Sequence, residues 1–294
     1  MVHAPAICLA PQYLAEEQLH LEGFQEVKYV ELQTSDTSQE VEAGLADLSM
    51  ETAPAAISSI DKGETLVLLA GIHGGCYELF AHPRVRAVRD LKGKRVGVTA
   101  LGSSEQIFIS SILAYVGMNP AKDIEWIETD VAFGAMPLFV EGKVDAFLAF
   151  PPEPQELRAK KIGHVIVDTT QDRPWSQYFC CMVAARREFV QKNPIATKRA
   201  LRAILKATDI CAQQPERAAQ MLKAKGYEPR LEIGLEVLRG LDYSRWRTLP
   251  PEDTLRFHAL RLHEVGMIKS TPQRIIDRGT DWRFLNELKR ELKV

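Results

Sequence analysis

A serine pair offers the polar groups best placed to contact a small molecule. Ser103 and Ser104 follow Gly102, where an apolar run ends and a helical pattern begins. Hydroxyl groups, backbone N–H groups and the positive end of the helix dipole converge at such a helix start. This chemistry suits an anion or a carbonyl-rich group. The alternative interpretation is that a serine only caps the helix.

Two carboxylates follow strand-like runs at matching points of the chain. Glu51 and Thr52 follow one run, and Phe150 precedes Glu153 after another. Carboxylates can accept hydrogen bonds from a hydroxyl, an amide or a ring N–H. They argue against a site tuned purely for small anions. The alternative is a solvated carboxylate at the rim, which we favour for Glu153.

A histidine and two glycines precede a further strand-like run. Gly74 and Gly75 allow either close backbone approach to a ligand or a simple bend, and His73 beside them could pair with a carboxylate. A lone histidine is more often structural. A dyad of His73 with Cys8 or Cys76 is the one catalytic arrangement left open, because such pairs meet in space and not in sequence.

Aromatic side chains complete the candidate site. Small-molecule pockets are mostly apolar with a few polar anchors. Trp175 lies just before a strand-like run, where it could act as a lid, and core packing is the alternative for the aromatic residues. The predicted ligand-binding set is Cys8, Glu51, Thr52, His73, Gly74, Gly75, Ser103, Ser104, Phe133, Phe150, Glu153 and Trp175.

Catalytic and metal-binding motifs are missing from the sequence. It has no GxSxG, HExxH, GxxxxGK[ST] or GxGxxG pattern. The five cysteines are odd in number and form no CxxC pair, which argues against a disulfide framework and against a zinc site. We therefore predict no catalytic residue, no metal and no cofactor.

The composition is that of an ordinary globular protein with two domains or one large α/β unit. The chain has 294 residues, 46% of them hydrophobic and 26% charged. A net charge of -2 provides no basic surface for nucleic acid. No signal-peptide pattern follows Met1, and Val2 already looks like strand. Either the chain is cytoplasmic, or it is a mature domain whose export leader has been removed.

An internal repeat predicts the elements that position these side chains. Gly44 aligns with Gly142 and Asp47 with Asp145, an offset of 98 residues. In each copy, the glycine and the aspartate lie between the end of a helix and a short apolar strand, and a proline follows that strand. With the segments before them, both copies read β-α-β-α-β. Such alternation makes parallel sheets with right-handed crossovers, whose ligands bind at the carboxyl ends of the strands.

Three further strand-like runs bracket the second copy of the repeat. They cover residues 65–72, 76–81 and 178–185, and we interpret them as crossings between two lobes. The chain is expected to leave the first lobe near residue 85 and to return near residue 188. This predicts lobe I over residues 1–85 plus 189–294, with a helix-rich tail, and lobe II over residues 86–188.

Three segments resemble one protein family. They are DLKGKRVGV at 90–98, followed by the Gly102-Ser103-Ser104 turn, VEGKVDA at 140–146, and APQYLAEE at 10–17. They are similar to periplasmic substrate-binding proteins of the nitrate/sulfonate/bicarbonate and thiamine-precursor-like branch. The resemblance extends over nearly the whole chain. It implies an α/β, two-lobed type II periplasmic-binding-protein fold with two crossing hinge strands.

The resemblance also implies a function. We expect a solute-binding receptor of an ABC importer, closing around a small organic acid, sulfonate-like or ring-containing ligand. Its partners would be that ligand and a membrane permease, without nucleic acid, and the protein would be a periplasmic monomer. The alternative is a cytoplasmic enzyme of pyrimidine or thiamine-precursor synthesis. Members with that activity carry a dense cysteine motif, which the adjacent Cys180 and Cys181 do not reproduce.

Overall fold

The computed structural model describes residues 1–33, 37–63, 65–129 and 134–292. The strands in this part of the chain are β1 (Val2–His3), β2 (Val30–Glu31), β3 (Leu48–Thr52), β4 (Leu66–Gly74), β5 (Glu78–Ala81), β6 (Lys94–Val98), β7 (Ile124–Glu128), β8 (Ala146–Ala149), β9 (His164–Asp168) and β10 (Phe179–Arg186).

The strands divide between two halves of the molecule. In lobe I, β1 pairs with β2 in parallel, and β10 lies antiparallel between β3 and β4. In lobe II the order is β7-β6-β8-β5-β9, with β5 antiparallel to both of its neighbours. Each lobe thus holds parallel strands and one inserted antiparallel strand, as expected of a chain that passes twice between lobes.

Helices cover the sheets and form the C-terminal tail. They are α1 (Ala10–Leu21), α2 (Thr37–Glu42), α3 (Ala53–Gly63), α4 (Ser104–Tyr115), α5 (Pro120–Asp123), α6 (Met136–Val140), α7 (Glu153–Lys160), α8 (Arg187–Lys192), α9 (Pro194–Gln213), α10 (Pro215–Ala224), α11 (Leu231–Gly240), α12 (Pro251–Glu264), α13 (Pro272–Gly279) and α14 (Arg283–Glu291). No helix in the described ranges is long and apolar enough to cross a bilayer.

The internal repeat is a structural repeat. Gly44 and Gly142 both follow helix ends with left-handed backbone, at φ +77° and +71°, which glycine adopts without steric cost. The carbonyl of Asp47 accepts a hydrogen bond from the Arg186 N–H (2.9 Å), and the carbonyl of Asp145 accepts one from the His82 N–H (3.0 Å). Each bond joins the repeat to the end of the strand inserted in that lobe.

The passages between the sheets come earlier than the predicted limits of residues 85 and 188. β5 belongs to the lobe II sheet and β10 to the lobe I sheet, so the chain crosses at residues 75–77 and again at 169–178. The alternating pattern of β5 correctly indicated a strand. The residues of β5 alone did not indicate which sheet the strand joins, because its partners β8 and β9 come much later in the chain.

The helical tail packs mainly on lobe I, as expected from the sequence. α9 packs on α1 and β4, and α12 and α13 pack on α3. α12 also contacts α4 of lobe II, so the tail spans the boundary between the lobes. The helix α13 is additional to those expected from the sequence pattern.

The first crossing depends on a glycine with no room for a side chain, which makes Gly75→Ala a direct test. A Cβ atom at Gly75 would lie 2.0 Å from the Thr169 carbonyl oxygen, and neither backbone can move without shifting a crossing. We expect this substitution to lower the free energy of unfolding by roughly 2–4 kcal/mol.

Gly240→Ala is the matched control, because nothing lies within 4 Å of its Cβ position at the end of α11. Chemical denaturation of both variants provides the measurement. Equal stabilities would contradict the assigned packing of the crossings.

Candidate functional site

A small cavity lies between the lobes, at the carboxyl ends of the strands. Its volume is about 40 Å³, room for a few water molecules. The walls come from the segments after β1, β6 and β8, from β3 and β10, and from the first crossing. The lining residues are Ala4, Ala6, Cys8, Leu9, Thr37, Met50, Thr52, Cys76, Tyr77, Ser104, Glu105, Phe150 and Cys181.

Four of the predicted site residues line this cavity. Cys8 and Thr52 come from lobe I, and Ser104 and Phe150 come from lobe II. The Thr52 hydroxyl is buried without a hydrogen-bond partner in the described structure, so it is available to a bound molecule. These four residues lie at strand ends that the repeat brings to one edge of each sheet, where α/β proteins bind ligands.

The predicted serine pair divides between two roles. The Ser103 side chain accepts a hydrogen bond from the Gln106 N–H (3.4 Å) and caps α4, while Ser104 lines the cavity. Glu105 places a buried carboxylate in the first turn and accepts a hydrogen bond from the Thr99 hydroxyl (3.1 Å). This carboxylate already complements the positive end of the helix dipole, so the helix start is poorly suited to a second anion.

Glu51 and Glu153 lie behind the cavity wall. Glu51 is buried in β3, opposite Met182, between two residues that line the cavity. Glu153 begins α7, and its carboxylate accepts a hydrogen bond from the Phe150 N–H (3.1 Å). The preferred interpretation of Glu153 as a solvated rim residue is wrong, because it is 9% exposed. Burial raises the pKa of Glu153 to about 8, although the hydrogen bond from Phe150 opposes this shift.

The two glycines of the first crossing do not line the cavity. Gly75 passes against the Thr169 backbone, so its lack of a side chain serves chain packing and not the approach of a ligand. Gly74 ends β4, where its carbonyl accepts a hydrogen bond from His73 Nδ1 (2.6 Å). His73 is fully buried behind the cavity, next to the Tyr243 ring (5.2 Å between centroids).

Trp175, the remaining aromatic candidate within the described residues, lies apart from the cavity wall. Trp175 is buried and packs edge-on against Tyr115 of α4, with 5.4 Å between ring centroids. This contact links the second passage to lobe II and does not form a lid over the cavity. Phe133 lies outside the described residues.

Several wall residues were missing from the predicted set. Tyr77 and Cys76 follow the glycines of the first crossing, and Cys181 lies in β10. The sequence His73-Gly74-Gly75 indicated this region, but it gave no reason to include Cys76 and Tyr77 among the ligand-binding residues. Tyr77 and Phe150 meet edge to face with 6.4 Å between ring centroids, and they give the cavity an aromatic side.

Three cysteines and a histidine converge beside the cavity. The sulfur atoms of Cys8, Cys76 and Cys181 and a ring nitrogen of His73 all lie within 4.8 Å of one another. Burial lowers the pKa of His73, but the neighbouring Cys181 and Cys8 sulfur atoms outweigh it and raise the value to about 10. The sequence argument against a metal site considered only spacing along the chain, and it did not anticipate that these four side chains meet in the fold.

The two lobes are in direct contact around the cavity. Arg230 forms an ion pair with Glu156 of α7 (2.6 Å), and the Ile7 N–H donates to the Pro151 carbonyl (3.3 Å). The Ser111 hydroxyl of α4 is 3.0 Å from Nδ1 of His258 in α12, and burial lowers the pKa of His258 to about 3. The two lobes are thus in contact around the cavity, which stays partly open to solvent.

Comparison with known proteins identifies the family. The profile of the NMT1-like family matches residues 22–225, more than half of the chain. The chain belongs to the NMT1-like family. A curated relative from Brucella abortus, named as a candidate binding protein, is 25% identical over 168 residues, which are 57% of this chain and 52% of the relative. The chain thus spans about half the length of the curated relatives it matches.

Solved structures confirm the predicted fold of this NMT1-like protein. The periplasmic nitrate-binding protein NrtA of Synechocystis PCC 6803 matches with a TM-score of 0.78 and 18% identity, over 100% of this chain and 88% of that one. The alkanesulfonate-binding protein SsuA of Xanthomonas axonopodis pv. citri matches with a TM-score of 0.74 and 15% identity, over 94% and 96%. The fold is the two-lobed periplasmic-binding-protein fold, and the predicted resemblance is confirmed.

Glu153→Gln is expected to change how stability depends on pH. The pKa of Glu153 lies near 8 in the folded protein and near 4.5 when unperturbed, so the folded protein holds the proton more tightly. The free energy of unfolding therefore falls as the pH rises from about 5 to 8, by at most about 1.4 kcal/mol per pH unit. The glutamine keeps an acceptor for the Phe150 N–H and removes this loss.

Thermal unfolding at pH 5 and pH 8 provides the measurement for this variant. We compare the free energy of unfolding of Glu153→Gln with that of wild type at each pH. The difference in favour of the variant should be up to about 4 kcal/mol larger at pH 8 than at pH 5. Glu17→Gln, an exposed position on α1, should show no such difference. Parallel pH profiles for wild type and Glu153→Gln would show that the carboxyl is ionised throughout.

Proposed function

We propose that this protein is a non-catalytic solute-binding receptor that delivers one small molecule to an ABC importer. The observation that carries the proposal is the cavity at facing strand ends of two lobes joined by two chain crossings. The names of the fold neighbours, a nitrate-binding and an alkanesulfonate-binding protein, support the same role. The receptor would act as a periplasmic monomer, with a membrane permease as its partner.

Ligand entry requires the lobes to separate. A cavity of about 40 Å³ is too small for an organic molecule and is lined by side chains of both lobes. Opening at the crossings would break the contacts of Arg230 with Glu156 and of Ser111 with His258. A ligand that bridges the lobes would replace those contacts, and hinge closure would bury it.

The walls favour a neutral or cationic ring over an anion. No lysine or arginine is among the cavity-lining residues of the described structure, and the lining includes the Glu105 carboxylate. Tyr77 and Phe150 offer ring faces, and the Thr52 hydroxyl offers a donor and an acceptor. Among the ligand classes expected from the sequence, we therefore propose the ring-containing class, with N–H or O–H groups that can donate to a carboxylate.

A thermal-shift titration tests the proposed function. Three panels would be compared: pyrimidines and other N–H-bearing rings, aliphatic sulfonates, and nitrate with small organic acids. A ring compound should raise the Tm, because binding to the folded state stabilises it. Small-angle scattering should show that the free protein in solution is more open than the structure described here, and that it becomes more compact as the ring compound is added.

Thr52→Val should weaken binding of the same compound about tenfold, since it removes one hydrogen bond while keeping the shape. Thr208→Val is the matched control, because that buried hydroxyl bonds the Ile204 carbonyl within α9. A shift produced only by sulfonates or nitrate would refute the ring assignment. Chemical turnover of a ring compound would instead favour the enzyme alternative, and no shift from any panel would refute the receptor role.

A further inference from the structure

The buried cysteine–histidine cluster has the composition of a metal site. Its four members are Cys8, His73, Cys76 and Cys181, defined here as the hinge cluster, and each is at most 4% exposed. Three thiol groups and one imidazole are the ligand set of a closed structural zinc site. The sulfur atoms of a tetrahedral zinc centre lie about 3.8 Å apart, so atoms already within 4.8 Å need shift by no more than about 1 Å.

The histidine of the hinge cluster is oriented as a metal ligand. Its Nδ1 donates to the Gly74 carbonyl at 2.6 Å, and Nε2 is buried without a hydrogen-bond partner in the described structure. Metal-bound histidines characteristically use one ring nitrogen for the metal and bond the other to a backbone carbonyl or a carboxylate. The Tyr243 hydroxyl donates to the Cys8 carbonyl (3.1 Å) and fixes the segment that carries a second member.

An irregularity in the lobe I sheet brings two members of the cluster together. β10 and β4 change register on both sides of Cys181, which pairs with His73, while Cys180 has no paired residue. A bulge of this kind turns a side chain away from the regular alternation. Adjacent residues of a regular strand point to opposite faces, yet Cys76 lies within reach of both Cys180 and Cys181, with 3.0 Å between its sulfur and that of Cys180.

The members of the hinge cluster belong to lobe I and to the first crossing. Cys8 follows β1, His73 and Cys181 lie in paired strands of one sheet, and Cys76 begins the crossing. None of them lies in the lobe II strands or helices. A metal bound here would stay bound when the lobes separate, so it would be a resident ion and not a solute captured by closure.

We propose that the hinge cluster binds one Zn²⁺ ion through three sulfur atoms and His73 Nε2, tying the start of the first crossing to the lobe I sheet. Binding displaces the thiol protons and any proton on Nε2 to solvent, and the ion balances the thiolate charge that burial would otherwise disfavour. The proposal does not depend on the receptor role, because it concerns an ion held within one lobe.

The experiment uses the full chain, kept in a phosphine reductant and stripped with a chelator. Zn²⁺ alone is titrated, and bound metal is counted by native mass spectrometry and elemental analysis. We expect one ion per chain and a higher Tm. Co²⁺ in place of Zn²⁺ should give the visible and thiolate charge-transfer absorption of a tetrahedral site with three sulfur ligands.

Single substitutions assign the ligands. Cys181→Ser and Cys8→Ser should weaken Zn²⁺ binding more than about 100-fold, since even a supporting residue around a metal contributes 10–100-fold. Cys211→Ser, a buried thiol in α9 outside the cluster, should bind like wild type, and so should Cys180→Ser. Circular dichroism checks that each variant is folded.

Two results would overturn the proposal. One is that fully reduced wild-type protein binds no stoichiometric Zn²⁺, a result that needs no variant to fold. The other is that Cys181→Ser binds Zn²⁺ as tightly as Cys211→Ser does. The receptor role is judged separately, by ring compounds added to protein stripped of metal and to protein loaded with Zn²⁺.

Discussion

Two antiparallel strands hold the halves of this protein together, and the position of every functional group depends on where they pair. β10 lies between β3 and β4 of lobe I, and β5 lies between β8 and β9 of lobe II. These strands carry the chain from one lobe to the other. Because they pair centrally, the rotation of the lobes that the proposed function requires would leave both sheets intact. The same passages bring strand ends from both lobes to face one cavity.

The character of the cavity follows from what those strand ends carry. The helix that follows β6 begins with a serine cap and a buried glutamate, so its positive dipole end is already complemented by Glu105. Glu153 lies nearby, and burial together with the charge of Glu105 favours its protonated form. A region with these carboxyl groups and two aromatic rings is better matched to a ligand with N–H groups than to nitrate or a sulfonate, although nitrate- and sulfonate-binding proteins share the fold.

The hinge cluster forms part of the cavity wall and lies on its lobe I side. The three cysteines line the cavity and are held by the lobe I sheet, by the Tyr243 contact and by the first crossing. Phe150 and Ser104 face them from lobe II. In the proposed opening, the ligand-facing walls would separate while the cluster would stay intact. An ion in that cluster would stiffen the side of the hinge about which the other lobe moves.

The sequence by itself determined the features that depend on residues close along the chain. The repeat, the helix ends at Gly44 and Gly142, the cap at Ser103 and most strands could be predicted, because each reflects local backbone preference and hydrophobic alternation. These features also predicted that Thr52, Ser104 and Phe150 reach the cavity, since the strands of one sheet end at a common edge.

Only the tertiary structure decided the contacts between distant segments. The sheet that accepts β5, the closeness of Gly75 to Thr169 and the burial of Glu153 all depend on partners elsewhere in the chain. The meeting of Cys8 with Cys181 is the clearest case, because it requires a bulge between two paired strands and the packing of a segment from the start of the chain. The spacing of the cysteines along the chain predicts neither the bulge nor this packing, since strand pairing and side-chain packing depend on the whole folded sheet.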